Sequence, residues 1–115
     1  MADQMWVMVM FDLPTKSVSQ RRAASRYRHL LLDMGFTMAQ LSVYAKYLVN
    51  STGLLPILPV LKKNVPAAGE VRVIRLTDEQ WAGMYRYYGT VELGAESKPT
   101  QLALFTDEEF DEEPF

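Results

Sequence analysis

The stretch VMVMFDLP, residues 7–14, is apolar up to a single acid, Asp12, and is broken by Pro14. With Met5 and Trp6 ahead of it, the run shows no polar alternation before Asp12, the pattern of a strand covered on both faces. In a small domain with helices on one side of its sheet, the second cover has to come from elsewhere. A partner subunit is the natural source.

Working outward, Pro14 stops the strand, and Ser17 with Gln20 three residues later has the spacing of a capping box. A helix over about 18–34 follows: Ala23, Ala24, Tyr27, Leu30, Leu31 and Met34 recur at helical spacing, and Gly35 is placed to end it. Residues 36–48 turn to strand periodicity, with Leu41, Val43 and Ala45 on one side and Gln40, Ser42 and Tyr44 on the other. Asn50, Ser51 or Thr52 can cap a second helix over about 53–64, which Pro59 should bend or turn partly into 3-10 geometry. VRVIRL at 71–76 reads as a strand. Thr77 and Gln80 repeat the capping-box spacing, with Leu76 and Trp81 at the positions of a hydrophobic staple, so a short helical turn is expected there. MYRYY at 84–88 reads as a further strand because aromatics alternate with Arg86. The succession suggests an α+β fold, a ferredoxin-like βαββαβ sandwich with an extra C-terminal strand, homodimeric through its uncovered sheet face.

The chain has 115 residues, enough for one core but not two. The expected organisation is a ferredoxin-like domain over 1–93, a linker and C-terminal docking strand over 94–106, and an acidic, disordered tail over 107–115. QLALF at 101–105 is an isolated apolar segment that needs a sheet edge, its own or a neighbour's. The absence of cysteine excludes disulfides, thiolate metal sites and cysteine nucleophiles, and suits a reducing cytoplasm. Asp3 stands where a signal peptide would be basic, and no apolar run approaches the roughly 20 residues a membrane helix needs. Charge is segregated: residues 1–63 carry eight Lys/Arg against Asp3, Asp12 and Asp33, and the remainder carries four against eleven acids. A cationic region beside a separate acidic tail is one pattern of a nucleic-acid binder.

An isolated Asp after a strand is more often a turn former than a reactive group. At the end of a central strand, however, it stands on a rigid platform, and a magnesium ion needs only one or two carboxylates, with water and substrate phosphates completing its shell. In a two-fold dimer with its axis nearby, two copies of Asp12 would face one phosphodiester. Arg22, Arg26 and His29 fall on one face of the first helix, flanked by Arg21 and Arg28 and preceded by Lys16. A run of this kind with few acids suits phosphate contacts, although a solvated helix face is a common alternative. His29 is the only histidine and is distant from Asp12 along the helix, so Ser-His and Cys-His catalysis have little material. Tyr85, Tyr87 and Tyr88 lack the RNP1 pattern and read as packing residues.

Together these pieces resemble a known family. VMVMFDLP, then SQRR in a helix, then GFTMAQLSVY, is similar to the small CRISPR-associated nuclease-like protein that partners the CRISPR integrase in spacer acquisition. Asp12, Arg21 or Arg22, Gly35, Gln40, Ser42, Val43 and Tyr44 all match its pattern; Phe11 departs from the common Tyr and lacks a hydroxyl there. The resemblance covers residues about 5–90. It implies a ferredoxin-like homodimer that bridges integrase dimers and carries duplex protospacer DNA, with Asp12 as catalytic residue and ligand to Mg2+ or another divalent cation in members that cut RNA or DNA. Some members act purely as scaffold. It also implies that Leu102, Ala103, Leu104 and Phe105 form a docking strand towards another subunit. The alternatives are a toxin-type endoribonuclease related to virulence-associated protein D and a non-catalytic ferredoxin-like regulatory dimer.

Overall fold

The computed structural model describes residues 4–90. The expected docking strand, its linker and the acidic tail lie outside the described residues. Residues up to Met84 form one compact unit, and a second begins at Tyr85. The elements are β1 (Met5–Asp12), α1 (Val18–Asp33), β2 (Thr37–Gln40), β3 (Val43–Leu48), a 3-10 turn (Ser51–Leu54), α2 (Ile57–Lys63), β4 (Glu70–Thr77) and α3 (Asp78–Ala82).

The sheet is antiparallel in the order β2-β3-β1-β4, the arrangement of a ferredoxin-like βαββαβ fold. β1 lies between β3 and β4. One face is covered by the helices: Met5, Val7, Val9 and Phe11 alternate into a core shared with Ala24, Tyr27 and Leu31 of α1 and with Leu54, Ile57 and Leu61. The Phe11 ring meets Tyr27 edge-on at 5.8 Å and stacks on Tyr44 at 5.7 Å. The other residues of β1 (Trp6, Met8, Met10, Asp12) point to the opposite face, where Val43, Ala45, Tyr47, Ile74 and Leu76 stand beside them in register. That face is apolar, and Ile74 and Tyr47 are 42% and 38% exposed, so the helices leave it open.

Local chemistry fixes the boundaries. Ser17 Oγ accepts from the Gln20 amide at 3.1 Å while Gln20 Oε1 accepts from the Ser17 amide at 3.0 Å, completing the capping box. α1 ends in a Schellman arrangement: the Phe36 amide donates to the Leu31 carbonyl and the Gly35 amide to that of Leu32, with Gly35 at φ 92°. Pro59 falls in the first turn of α2, where its missing N–H would have had no helical partner, and the preceding turn is 3-10, as expected for this proline-rich segment. α3 begins at a second capping box, Thr77 with Gln80.

Two expectations are corrected. Residues 36–48 do not alternate as one continuous strand. They form a β2–β3 hairpin with a register shift between Met38 and Gln40 and with Ser42 at φ 66°, and the Ser42 carbonyl accepts from the Phe11 amide at 3.1 Å. This slip puts Gln40 opposite Val43, on the same sheet face, while Tyr44 turns into the core. MYRYY at 84–88 is not a strand: it has no regular secondary structure, and Tyr85, Tyr87 and Tyr88 are 82%, 87% and 76% exposed. Alternating aromatics favour a strand only where a ladder partner exists, and among the described residues none pairs with them. Among the described residues, no helix is long and apolar enough to cross a membrane.

Tyr27 ties α1 to α2. Its hydroxyl donates to the Leu61 carbonyl at 3.0 Å, and burial pushes its phenol from 10.0 up to about 12. A raised pKa means that the neutral phenol contributes fully below pH 10, and that the contribution is lost as pH rises towards 12. Tyr27→Phe, which leaves the carbonyl unpaired, should cost about 1–2 kcal/mol at neutral pH and should flatten the alkaline loss, measured by urea unfolding across that range.

Candidate functional site

The site is built where β1 runs out. Asp12, the last residue of β1, is exposed and points to the open sheet face. Directly across the β1–β4 ladder stands Glu70, and Met10 faces Arg72. Residues opposite in an antiparallel pair share a face, so Asp12, Glu70 and Arg72 stand together at one end of it, with Gln40 at the same end of the face on β2. Arg72 Nε donates to Glu70 Oε2 at 3.0 Å. Among the described residues the Asp12 carboxylate has neither a hydrogen bond nor an ion pair.

Backbone geometry holds this end rigid. The turn before β4 closes with the Gly69 amide donating to the Pro66 carbonyl at 3.0 Å, and Ala68 lies at φ 67°. Gly69 comes so close under the strand exit that a Cβ there would stand 2.6 Å from Leu13 Cδ2 and 3.1 Å from the Pro66 oxygen. Leu13 is itself fully buried, so the residue after Asp12 is anchored in the core.

The cations of α1 lie elsewhere. Arg22, Arg26 and His29 are exposed on α1 and Lys16 in the turn that leads into it, and His29 Nδ1 is 2.8 Å from the Ser25 carbonyl. Arg21 is exposed too, but its guanidinium donates to the carbonyls of Thr15 (3.1 Å) and Lys16 (3.3 Å), so it braces the turn into α1. Arg28 is half-buried and faces Tyr44, whose phenol is raised by burial and partly lowered again by the Arg28 charge. The structure therefore carries Arg22, Arg26 and His29 on the helix layer, with Lys16 in the turn before it, and points Asp12 to the other face of the sheet. Sequence reading missed Glu70 and Arg72. Their signal was the E-x-R spacing at the start of a strand, which puts two opposite charges on one face.

The same architecture occurs in known proteins. A family model described as CRISPR associated protein Cas2 matches residues 5–84. The chain belongs to the Cas2 family. The protein of Parvibaculum lavamentivorans named CRISPR-associated endoribonuclease Cas2 is 40% identical over 101 residues, which cover 88% of this chain and all of that one. The Paracidovorax avenae protein of the same name is 35% identical over 101 residues, 88% of this chain and 94% of its own. The crystal structure of Streptococcus pyogenes Cas2 at pH 6.5 matches with a TM-score of 0.57 at 20% identity, covering 73% of this chain and 99% of that one, a likeness of fold. The matched Cas2 region contains every element from β1 to α3 and ends at Met84, where the first compact unit ends.

Two carboxylates directly opposite on a ladder repel, by roughly 0.2–1 kcal/mol. Asp12→Asn should therefore raise the urea midpoint slightly at neutral pH.

Proposed function

We propose that this Cas2-family chain is a subunit of CRISPR adaptation: a homodimer, joined through the open sheet face, that bridges integrase dimers and positions protospacer DNA for integration into the repeat array. In this reading the two Asp12 carboxylates of the dimer also serve metal-dependent phosphodiester hydrolysis. The observation that carries it is the apolar sheet face around Met8, Met10 and Ile74, which ends in an exposed, unengaged Asp12. An apolar face left open by the helices calls for a second protein surface, and a two-fold axis through it near Asp12 doubles the acid.

Asp12 fits a divalent cation. It is a hard oxygen donor in contact with water, and Mg2+ keeps most of its waters and takes one or two carboxylates. A second carboxylate is assigned to the partner's Asp12, which a two-fold axis near this end of the face would bring beside the first. When bound, such an ion supplies Lewis-acid stabilisation and an activated water; the chain's own part is to hold Asp12 on a ladder-bonded strand anchored by Leu13. The relatives' name, endoribonuclease, favours RNA as the substrate of hydrolysis. Lys16, Arg22, Arg26 and His29 form the surface assigned to duplex DNA, with the cations of α1 on the helix layer and Asp12 on the other sheet face. Leu102, Ala103, Leu104 and Phe105 are assigned to docking another subunit.

Duplex binding should weaken with salt, log K falling by roughly 0.9 per neutralised phosphate. Asp12→Ala should abolish RNA cleavage in Mg2+ while leaving the dimer mass unchanged, and Arg22→Ala with Arg26→Ala should weaken DNA binding without touching cleavage. Reconstitution with the neighbouring integrase, scored as spacer integration, tests the adaptation role. A protein that is monomeric and binds neither DNA nor integrase at low salt contradicts the proposal.

A further inference from the structure

The Glu70–Arg72 ion pair stands at the Asp12 end of the open face. We infer that Arg72 is a phosphate-binding residue at the Asp12 site and that Glu70 is its internal stand-in for the phosphate, holding the guanidinium beside Asp12 until nucleic acid displaces it. The inference rests on the proposed presence of nucleic acid at Asp12 and adds to it the residue that grips the backbone and the residue that regulates that grip.

Three observations carry it. Arg72 is diagonal to Asp12 across the β1–β4 ladder, Asp12 opposing Glu70 and Arg72 opposing Met10; diagonal Cβ atoms lie about 7–8 Å apart, within reach of a long side chain. The Glu70 contact occupies Nε only, and among the described residues the other four N–H donors of this guanidinium make no hydrogen bond. Finally, in the single chain the side chains of Arg72 and Glu70 are 72% and 61% exposed, at the charged end of the face and away from its apolar middle, so the bond between them contributes little to stability and is easily exchanged. A phosphate offers two oxygens to the fork of the guanidinium in a charge-assisted, bidentate contact, which one carboxylate oxygen at Nε does not match. Arg72 is the cation that the β1–β4 ladder itself places on the Asp12 face.

The arrangement also bears on charge at the site. With Glu70 drawn to Arg72, Asp12 faces a partly neutralised neighbour; a phosphate that takes Arg72 releases Glu70 towards Asp12. The two states therefore differ in the negative potential at Asp12, and the ion pair couples occupancy of the phosphate position to that potential.

The test measures binding of a fluorescein-labelled single-stranded RNA by the full-length protein as a function of salt, without divalent cation, so that cleavage plays no part. Wild type is compared with Arg72→Gln, Arg72→Lys, Glu70→Gln and the double variant Glu70→Gln/Arg72→Gln, each checked for wild-type dimer mass and far-UV spectrum. Arg72→Gln should weaken binding several-fold and make log K against log salt shallower by about 0.7, whereas Arg72→Lys should restore the slope but not the full affinity. Glu70→Gln should tighten binding several-fold, and this gain should vanish in the double variant. A slope unchanged in Arg72→Gln, or a Glu70→Gln gain that persists without Arg72, overturns the inference and leaves the nucleic-acid reading standing. A wild type that binds no RNA at low salt overturns that reading and the inference with it.

Discussion

β1 is hydrogen-bonded along both edges, to β3 over Met5–Met10 and to β4 over its whole length, and it is apolar on both faces. Neither property is optional. A strand in the middle of a sheet satisfies all its backbone groups inside the protein, which is what makes its last residue a fixed point. The helix face is closed by Val7, Val9 and Phe11 against Tyr27 and Leu31; the opposite face, with Met8, Met10 and Ile74, is left open by α1 and α2. The fold is thus complete on one side and incomplete on the other, and Asp12 sits at the edge of the incomplete side.

At the far end of that face, the Trp6 indole stacks on Trp81 of α3 with centroids 4.2 Å apart, touches Tyr47 at 5.3 Å, and donates to Asp78 at 2.9 Å. One end of the open face is therefore capped by aromatic rings and the other carries charge. A second subunit laid on this face would meet hydrophobic side chains along its middle and would bring acids and arginines together only at the Asp12 end. The basic face of α1, on the far side of the core, stays accessible in such an arrangement.

Much of this was legible from residue pattern. The doubly apolar strand ending in Asp12, the Ser17–Gln20 and Thr77–Gln80 caps and the glycine at the end of α1 are local signals with local causes, and each stands where the spacing placed it; the second helix starts later than its spacing suggested, at Ile57, behind a separate 3-10 turn. The hairpin within 36–48 was not legible, since a positive φ at Ser42 and a register slip arise from pairing with β1 and leave no mark in periodicity. MYRYY misled because aromatic alternation records a preference for a sheet without saying whether a partner strand is there. Arg21 and Arg28 looked like their neighbours in sequence; only three-dimensional contact shows one bracing a turn and the other turned towards Tyr44. Glu70 and Arg72 were invisible as a pair with Asp12, because nothing local says which strand lies beside β1.

The central claim is that two open faces meet and bring two Asp12 residues together. Because the chain has no cysteine, Asp12→Cys gives a single site for a nitroxide label in each subunit. The distance between labels, measured by pulsed dipolar spectroscopy on the full-length protein, addresses the claim directly. The account predicts a short, narrow intermolecular distance that is lost when Met8→Lys charges the open face. A labelled protein with no intermolecular coupling, or with a long distance that Met8→Lys does not alter, would contradict it.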